Sequence, residues 1–212
     1  HSCNPYFYQV YKSLILRGQN SNIFIDSRLG LEKWRNAVQK FGIGVKLKTD
    51  IPGLKKGLLP SLDFYDSWYG KNRWAFSTIY SNSIGEGELG VSPIQMANLA
   101  AIIANKGYYY TPHLVKKIGK NGTKRPEFLK QLSTEIDSVF YNPVIDAMER
   151  VVLYGTAKSA QIDSISVCGK TGTVENKNFN DHSVFIAFAP KENPKIAIAV
   201  YVEFGTWGGT WA

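Results

Sequence analysis

Cys168-Gly169-Lys170-Thr171-Gly172-Thr173 and the apolar run Ser183-Val184-Phe185-Ile186-Ala187-Phe188-Ala189 decide the reading of this chain. Three stretches rich in β-formers follow one another in the last third: 165–171, 183–189 and 196–204. Lys191-Glu192-Asn193-Pro194 between the last two is a tight turn, so these two runs pair as an antiparallel hairpin. The Lys-Thr-Gly-Thr stretch is read at the end of the first run, on a strand. There a glycine lets another backbone lie close. Lysine brings a compact positive charge, and threonine hydroxyls can hold a carboxylate. An extended peptide adding to such an edge is a recurrent recognition mode. Four residues alone are a weak signal, and an ordinary surface turn accounts for them equally well.

Working outward, helix signals dominate the rest. Asn4-Pro5, Ser92-Pro93 and Asn142-Pro143 each place a capping residue before a proline, with Gly18, Gly107 and Gly155 as stops. Leu31, Trp34, Val38 and Phe41 recur at helical spacing, which predicts a further helix over 27–41 that Gly42 ends. Residues 45–66 and 120–127 read as loops, and 114–118 as a short strand. The organisation predicted is one domain, 1–212, with a helical part to about residue 160 and a sheet part from about 161.

Composition narrows the classes. With 44% hydrophobic and 20% charged residues the 212-residue chain is an ordinary globular sequence with enough length for a sizeable core. The longest clean apolar run, 196–202, is too short to cross a bilayer. A net charge of +8 comes without a Lys/Arg block or a nucleic-acid-binding motif, so nucleic acid is not an expected partner. A solvated basic surface explains the charge; attraction to anionic wall and lipid is the alternative. Cys3 and Cys168 are read as buried free thiols, with a disulfide as the lesser option. His1, Cys3, His113 and His182 show no ligand spacing, so no metal and no cofactor is expected.

Lys170-Thr171-Gly172 gains meaning with Ser2-Cys3-Asn4, a Ser-x-Asn triplet that precedes it. Asn4 before Pro5 is also a good helix cap in its own right. Together the two triplets resemble the second and third of three motifs, Ser-x-x-Lys, Ser-Asp-Asn and Lys-Thr-Gly, of β-lactamases and penicillin-binding proteins. Ser83-Ile84-Gly85-Glu86-Gly87 with Ser92-Pro93-Ile94-Gln95-Met96-Ala97-Asn98, and 181–190, resemble class B penicillin-binding proteins. Ser2-Cys3-Asn4-Pro5-Tyr6-Phe7-Tyr8 resembles their elongation-type branch, penicillin-binding protein 2. The likeness runs over nearly the whole chain; Glu86 departs from it, standing where the family often has glutamine.

The resemblance implies an α+β fold of the β-lactamase/transpeptidase type: a five-stranded antiparallel sheet covered by helices, beside a helical subdomain. It implies D,D-transpeptidase chemistry on peptidoglycan stem peptides through a serine acyl-enzyme, inhibited by β-lactams. Carried over, Ser2 would relay a proton to the leaving group, supported by Lys170, and Asn4 would bind the substrate amide. Thr171 and Thr173 would bind the substrate carboxylate along the strand opened by Gly172, and the Thr173 N–H would be an oxyanion donor. No serine or threonine has lysine three residues later. The expectation is therefore a piece of a longer protein: first strands, nucleophile helix and last helix would lie outside it, and it would be inactive alone. The parent would be membrane-anchored, its catalytic domain on the periplasmic side, working with the cell-elongation machinery. A β-lactamase-like hydrolase and a non-catalytic penicillin-sensing module remain alternatives at this point.

Overall fold

The computed structural model describes residues 2–120 and 122–211, without the side chains of 210 and 211. His1 lies outside the described residues. Residues 2–45 with 57–91 form one compact unit, and 46–56 with 92–211 another.

In the first unit, helix α1 spans Asn4–Ile15 and α2 spans Ile23–Gln39. The N-cap of α1 is Cys3, so Asn4 sits one position inside the helix and does not cap it. Helix α2 begins earlier than the apolar spacing suggested, because the Asn22 side chain accepts the Phe24 N–H at 2.9 Å. This cap lies ahead of the periodic residues. Gly18, in the left-handed region at φ 68°, follows α1. Residues 45–66, read as loop, run into helix α3, Leu62–Tyr69, capped by Ser61, whose hydroxyl accepts the Phe64 N–H at 3.1 Å. A short α4, Phe76–Ile79, leads into a 3-10 turn over Tyr80–Ile84. The core of this unit is Tyr11, Ile15, Leu31, Tyr65, Trp74 and Ile79. Gly30 makes the α1–α2 approach possible: a Cβ there would fall 2.0 Å from the Ile15 carbonyl oxygen.

Several buried and part-buried polar groups in this unit are paired, while the buried Tyr11 hydroxyl and Ser83 hydroxyl have no hydrogen-bond partner among the described residues. Arg28 grips both oxygens of Asp66, and Trp74 Nε1 donates to the same carboxylate at 2.8 Å. The buried Tyr65 hydroxyl donates to Glu88 at 2.9 Å and accepts from Asn82 Nδ2 at 2.9 Å. Burial pushes its ionisation well above the ordinary phenol range.

The second unit begins its helical part with α5, Pro93–Ala104, and here the capping expectation holds. Ser92 is the N-cap, and buried Gln95 accepts its N–H at 3.0 Å while donating to the Lys56 carbonyl at 3.0 Å. Gly107, at φ 109°, follows the helix. Strand β1, Tyr108–Tyr110, comes next, where no strand was expected. The predicted strand at 114–118 is absent; of those residues only Ile118 pairs, in a single bridge with Thr123 across the turn. Helix α6, Pro126–Leu129, replaces the end of the predicted loop. Strand β2, Gln131–Ser133, then pairs antiparallel with β1. Helix α7 is Tyr141–Tyr154, with Asn142 inside it. The capping work falls to Asp137, whose carboxylate accepts the Val139 N–H at 3.0 Å at the preceding 3-10 turn. Gly155 ends α7 as expected.

Strands β3, Cys168–Val174, β4, His182–Ala189, and β5, Ile196–Val202, form an antiparallel sheet in that order. The hairpin around Lys191–Pro194 is as read. β3 starts later than expected and runs on through Val174, so Lys170 to Thr173 sit in mid-strand. Ile165, expected inside it, makes only a bridge to Ile162. Central β4 buries both faces, which is why it reads as a continuous apolar run. Helix α7 packs on β3, and Val152, Ala157, Val167, Phe185 and Ala187 share a core. Helix α5 packs on β4 and β5. A short α8, Gly208–Trp211, follows β5 and lies against β3 and β4. Among the described residues, no helix is long and apolar enough to cross a membrane.

Candidate active site

Strand β3 is an edge strand of its sheet among the described residues. Its register with β4 pairs Lys170 with Ile186, Thr171 with Phe185, Gly172 with Val184 and Thr173 with Ser183. Two-residue periodicity therefore sets Cys168, Lys170 and Gly172 on one face and Gly169, Thr171 and Thr173 on the other. Gly169 is required by packing: a Cβ would meet the Phe185 ring at 2.4 Å. Gly172 is different, since a Cβ there would make only ordinary contact with Val184 at 3.5 Å. Internal packing does not demand glycine at 172, and the Lys170 face of the strand is left open there.

Lys170 is half-buried, and its ammonium donates to the Thr171 carbonyl at 2.5 Å. Burial pulls its proton affinity below the ordinary lysine range. The neighbouring Cys168 is a fully buried free thiol, pushed up to about 11 by desolvation, so it remains protonated and unreactive at neutral pH. The other face carries hydroxyls. Thr171 Oγ1 lies 2.8 Å from Thr156 Oγ1, and Thr173 Oγ1 accepts the Gly208 N–H at 3.4 Å. Gly208 touches the strand itself, since a Cβ there would fall 2.0 Å from the Gly172 carbonyl oxygen. Thr156 and Gly208 carry no local signal in the sequence. They reach β3 only because α7 packs on it and the chain returns after β5.

Two loops border this strand end. Asp181 accepts the Asn176 N–H at 3.0 Å, and its carbonyl accepts the Thr206 N–H at 2.8 Å. His182 Nδ1 accepts the Phe204 N–H at 3.1 Å, and its ring packs on Tyr201 and Phe204. The loops after β3 and β5 are thereby tied together beside Thr173.

Ser2 and Asn4 belong to the other compact unit. Both are exposed at the start of α1, as is Cys3, which was expected to be buried. The Cys3 carbonyl accepts the Tyr6 and Phe7 N–H groups at 3.1 and 3.3 Å, which holds this first turn.

An α+β chain whose antiparallel sheet carries Lys-Thr-Gly on an edge strand, with helices packed on it, is of the transpeptidase/β-lactamase class. The chain belongs to the penicillin-binding protein transpeptidase domain family, whose model matches residues 1–211. Within it, the chain is homologous to the elongation-type class B proteins, penicillin-binding protein 2 among them. The peptidoglycan D,D-transpeptidase MrdA of Acinetobacter baumannii is 28% identical over 96% of this chain and 33% of its own length. Stage V sporulation protein D of Bacillus subtilis is 30% identical over 100% of this chain and 31% of its own. Among solved structures, Pseudomonas aeruginosa PBP2 in complex with WCK 5153 superposes with a TM-score of 0.77 at 29% identity. That match covers 98% of this chain and 43% of the other. The chain thus spans about a third of the length of the curated relatives it matches.

Proposed function

We propose that the protein of which these 212 residues are part is a serine D,D-transpeptidase that cross-links peptidoglycan stem peptides and is acylated by β-lactams. The observation that carries this reading is Lys170-Thr171-Gly172-Thr173 in the middle of an edge strand, with Gly172 left open and a half-buried lysine beside it. A stem peptide ending in D-Ala-D-Ala lies along β3 as an added strand, its terminal carboxylate on the Thr171 and Thr173 hydroxyls. A serine hydroxyl, supplied by chain outside these residues, attacks the carbonyl between the two D-alanines. The Thr173 N–H stabilises the oxyanion. Ser2 passes a proton to the departing D-Ala amine, Asn4 holds the substrate amide, and Lys170 supplies positive charge that favours the transfer. An amine from a neighbouring stem then takes the acyl group and regenerates the serine. The protein is anchored in the cytoplasmic membrane with this domain on the periplasmic side, among the cell-elongation proteins.

The test is labelling of the full-length protein and of the 212-residue chain with fluorescent penicillin, read by intact-mass and peptide mass spectrometry. The expected result is a long-lived adduct on a serine of the full-length protein and none on the shorter chain. Rapid hydrolysis of penicillin without an adduct would instead mean a β-lactamase, and an unlabelled full-length protein would mean a non-catalytic module.

A further inference from the structure

The end of β1 and the residues after it build a cavity that none of this chemistry uses. Its volume is about 350 Å³, within the range of small-molecule sites. One wall is aromatic. The buried Phe128 ring carries the His113 imidazole face to face, with centroids 4.2 Å apart and planes 5° from parallel. The Arg125 guanidinium carbon lies 4.8 Å from the centroid of the same ring. Lys116 and Lys124 join Arg125 in lining the cavity, and the described lining residues include no carboxylate.

The nearby acids are already engaged. Glu127 pairs with Arg125 at 2.5 Å, and Asp50 accepts the Leu114 and Val115 N–H groups at 2.8 and 3.0 Å. Thr49 Oγ1 also donates to the Pro112 carbonyl at 2.5 Å. These bonds pin the segment 112–115, so the wall is formed before any ligand arrives. His113 Nδ1 lies 2.7 Å from the Thr111 carbonyl, which can only accept. Nδ1 therefore carries a proton, and Nε2 is the ring's remaining polar atom.

A row of solvated lysines would be the plain reading of these charges. Two features go beyond it: the guanidinium and imidazole are held on one buried ring, and the same cavity is lined by the partly exposed apolar side chains of Tyr110, Val115 and Leu129. An inorganic anion would leave those apolar walls wet, and a neutral ring would make no use of Lys116, Lys124 or the Arg125 donors that Glu127 does not take.

We propose that this cavity binds a small aromatic oxyanion, a flat ring bearing one carboxylate or phosphate. The ring covers the Tyr110, Val115 and Leu129 wall, and the headgroup sits on Lys116, Lys124 and Arg125, where guanidinium geometry favours planar oxyanions. This site shares no residue with the Lys-Thr-Gly strand and stands whether or not the transpeptidase reading does.

The experiment is a titration of the protein with phenyl phosphate and with benzoate, followed by NMR of the Val115 and Leu129 methyls. Benzyl alcohol and inorganic phosphate supply the ring and the charge separately. At least one aryl anion should saturate with a dissociation constant of about 1 mM or tighter. The two half-ligands should bind about tenfold more weakly, as expected when either contact set is lost. Arg125→Gln and Lys124→Gln should each weaken binding by about threefold or more while the remaining spectrum is unchanged. Lys195→Gln, outside the lining, should have no effect. The phosphate and carboxylate arms separate the two headgroups. Failure of both aryl anions to saturate overturns the proposal. So does inorganic phosphate binding as well as phenyl phosphate, or affinity unchanged in both the Arg125 and Lys124 variants.

Discussion

Replacing Lys170 by methionine in the full-length protein separates charge from packing. The methionine stem fills nearly the same half-buried space on β3, so the sheet keeps its contacts. The ammonium is lost, together with its 2.5 Å bond to the Thr171 carbonyl. Losing one oriented electrostatic group from a site of developing charge costs about 3 kcal/mol, on the order of a hundredfold in rate. Acylation by fluorescent penicillin, measured as a second-order rate, should fall by that factor. Stability should move little at neutral pH, because the fold disfavours the charged lysine through burial. The sign can be checked with pH. A lysine whose folded proton affinity is lowered destabilises the fold while it is charged, and that penalty is relieved as pH rises from the folded value towards the unfolded value of about 10.4. Wild type should therefore gain stability relative to Lys170→Met over that alkaline window, read in urea unfolding. Unchanged acylation in Lys170→Met would make Lys170 an ordinary strand lysine and refute the proposed role.

Three further outcomes follow from particular contacts. Gly30→Ala should lower stability by about 2 kcal/mol or more in urea unfolding, since its Cβ would meet the Ile15 backbone at 2.0 Å and overpacking outweighs the gain in helix propensity; wild-type stability would mean α1 and α2 do not pack this closely. Asp66, held below the ordinary carboxylate range first by the Arg28 hydrogen bonds, should stabilise the fold fully above about pH 4 and lose that contribution as pH falls through its depressed value. Asp66→Asn should flatten this acid limb in pH-dependent melts, and an unchanged limb would assign it to other carboxylates. Gly208→Ala, whose Cβ would strike the Gly172 carbonyl oxygen at 2.0 Å, should slow acylation of the full-length protein by about tenfold or more through displacement of β3; an unaltered rate would show that α8 and β3 move independently of the chemistry.

The legible parts of the fold are those that local chemistry dictates. Ser92-Pro93 with Gln95 is a capping box, and α5 begins there. The β4–β5 hairpin was readable because Lys191-Glu192-Asn193-Pro194 separates two β-rich runs. The misplacements share a cause. Asn4 and Asn142 look like caps beside proline, but Cys3 and the 3-10 turn after Asp137 set the helix starts. β1 and β2 are three residues each and exist through pairing with one another, which periodicity over so few residues does not reveal. α3 was hidden in a stretch whose glycines and prolines end just before Ser61.

What the sequence determined by itself is the chemistry available: a Lys-Thr-Gly-Thr stretch with β-runs behind it, a Ser-x-Asn triplet, and the family those residues resemble. Side-chain type and spacing along one chain are enough for that. Tertiary structure alone decided that β3 runs through Val174, that it is a sheet edge among the described residues, and that Thr156 and Gly208 complete its surroundings. It also brought Arg125 and His113 onto the ring of Phe128. Such contacts join residues through the packing of whole helices and strands, and local preference carries no record of which distant backbone will arrive beside it.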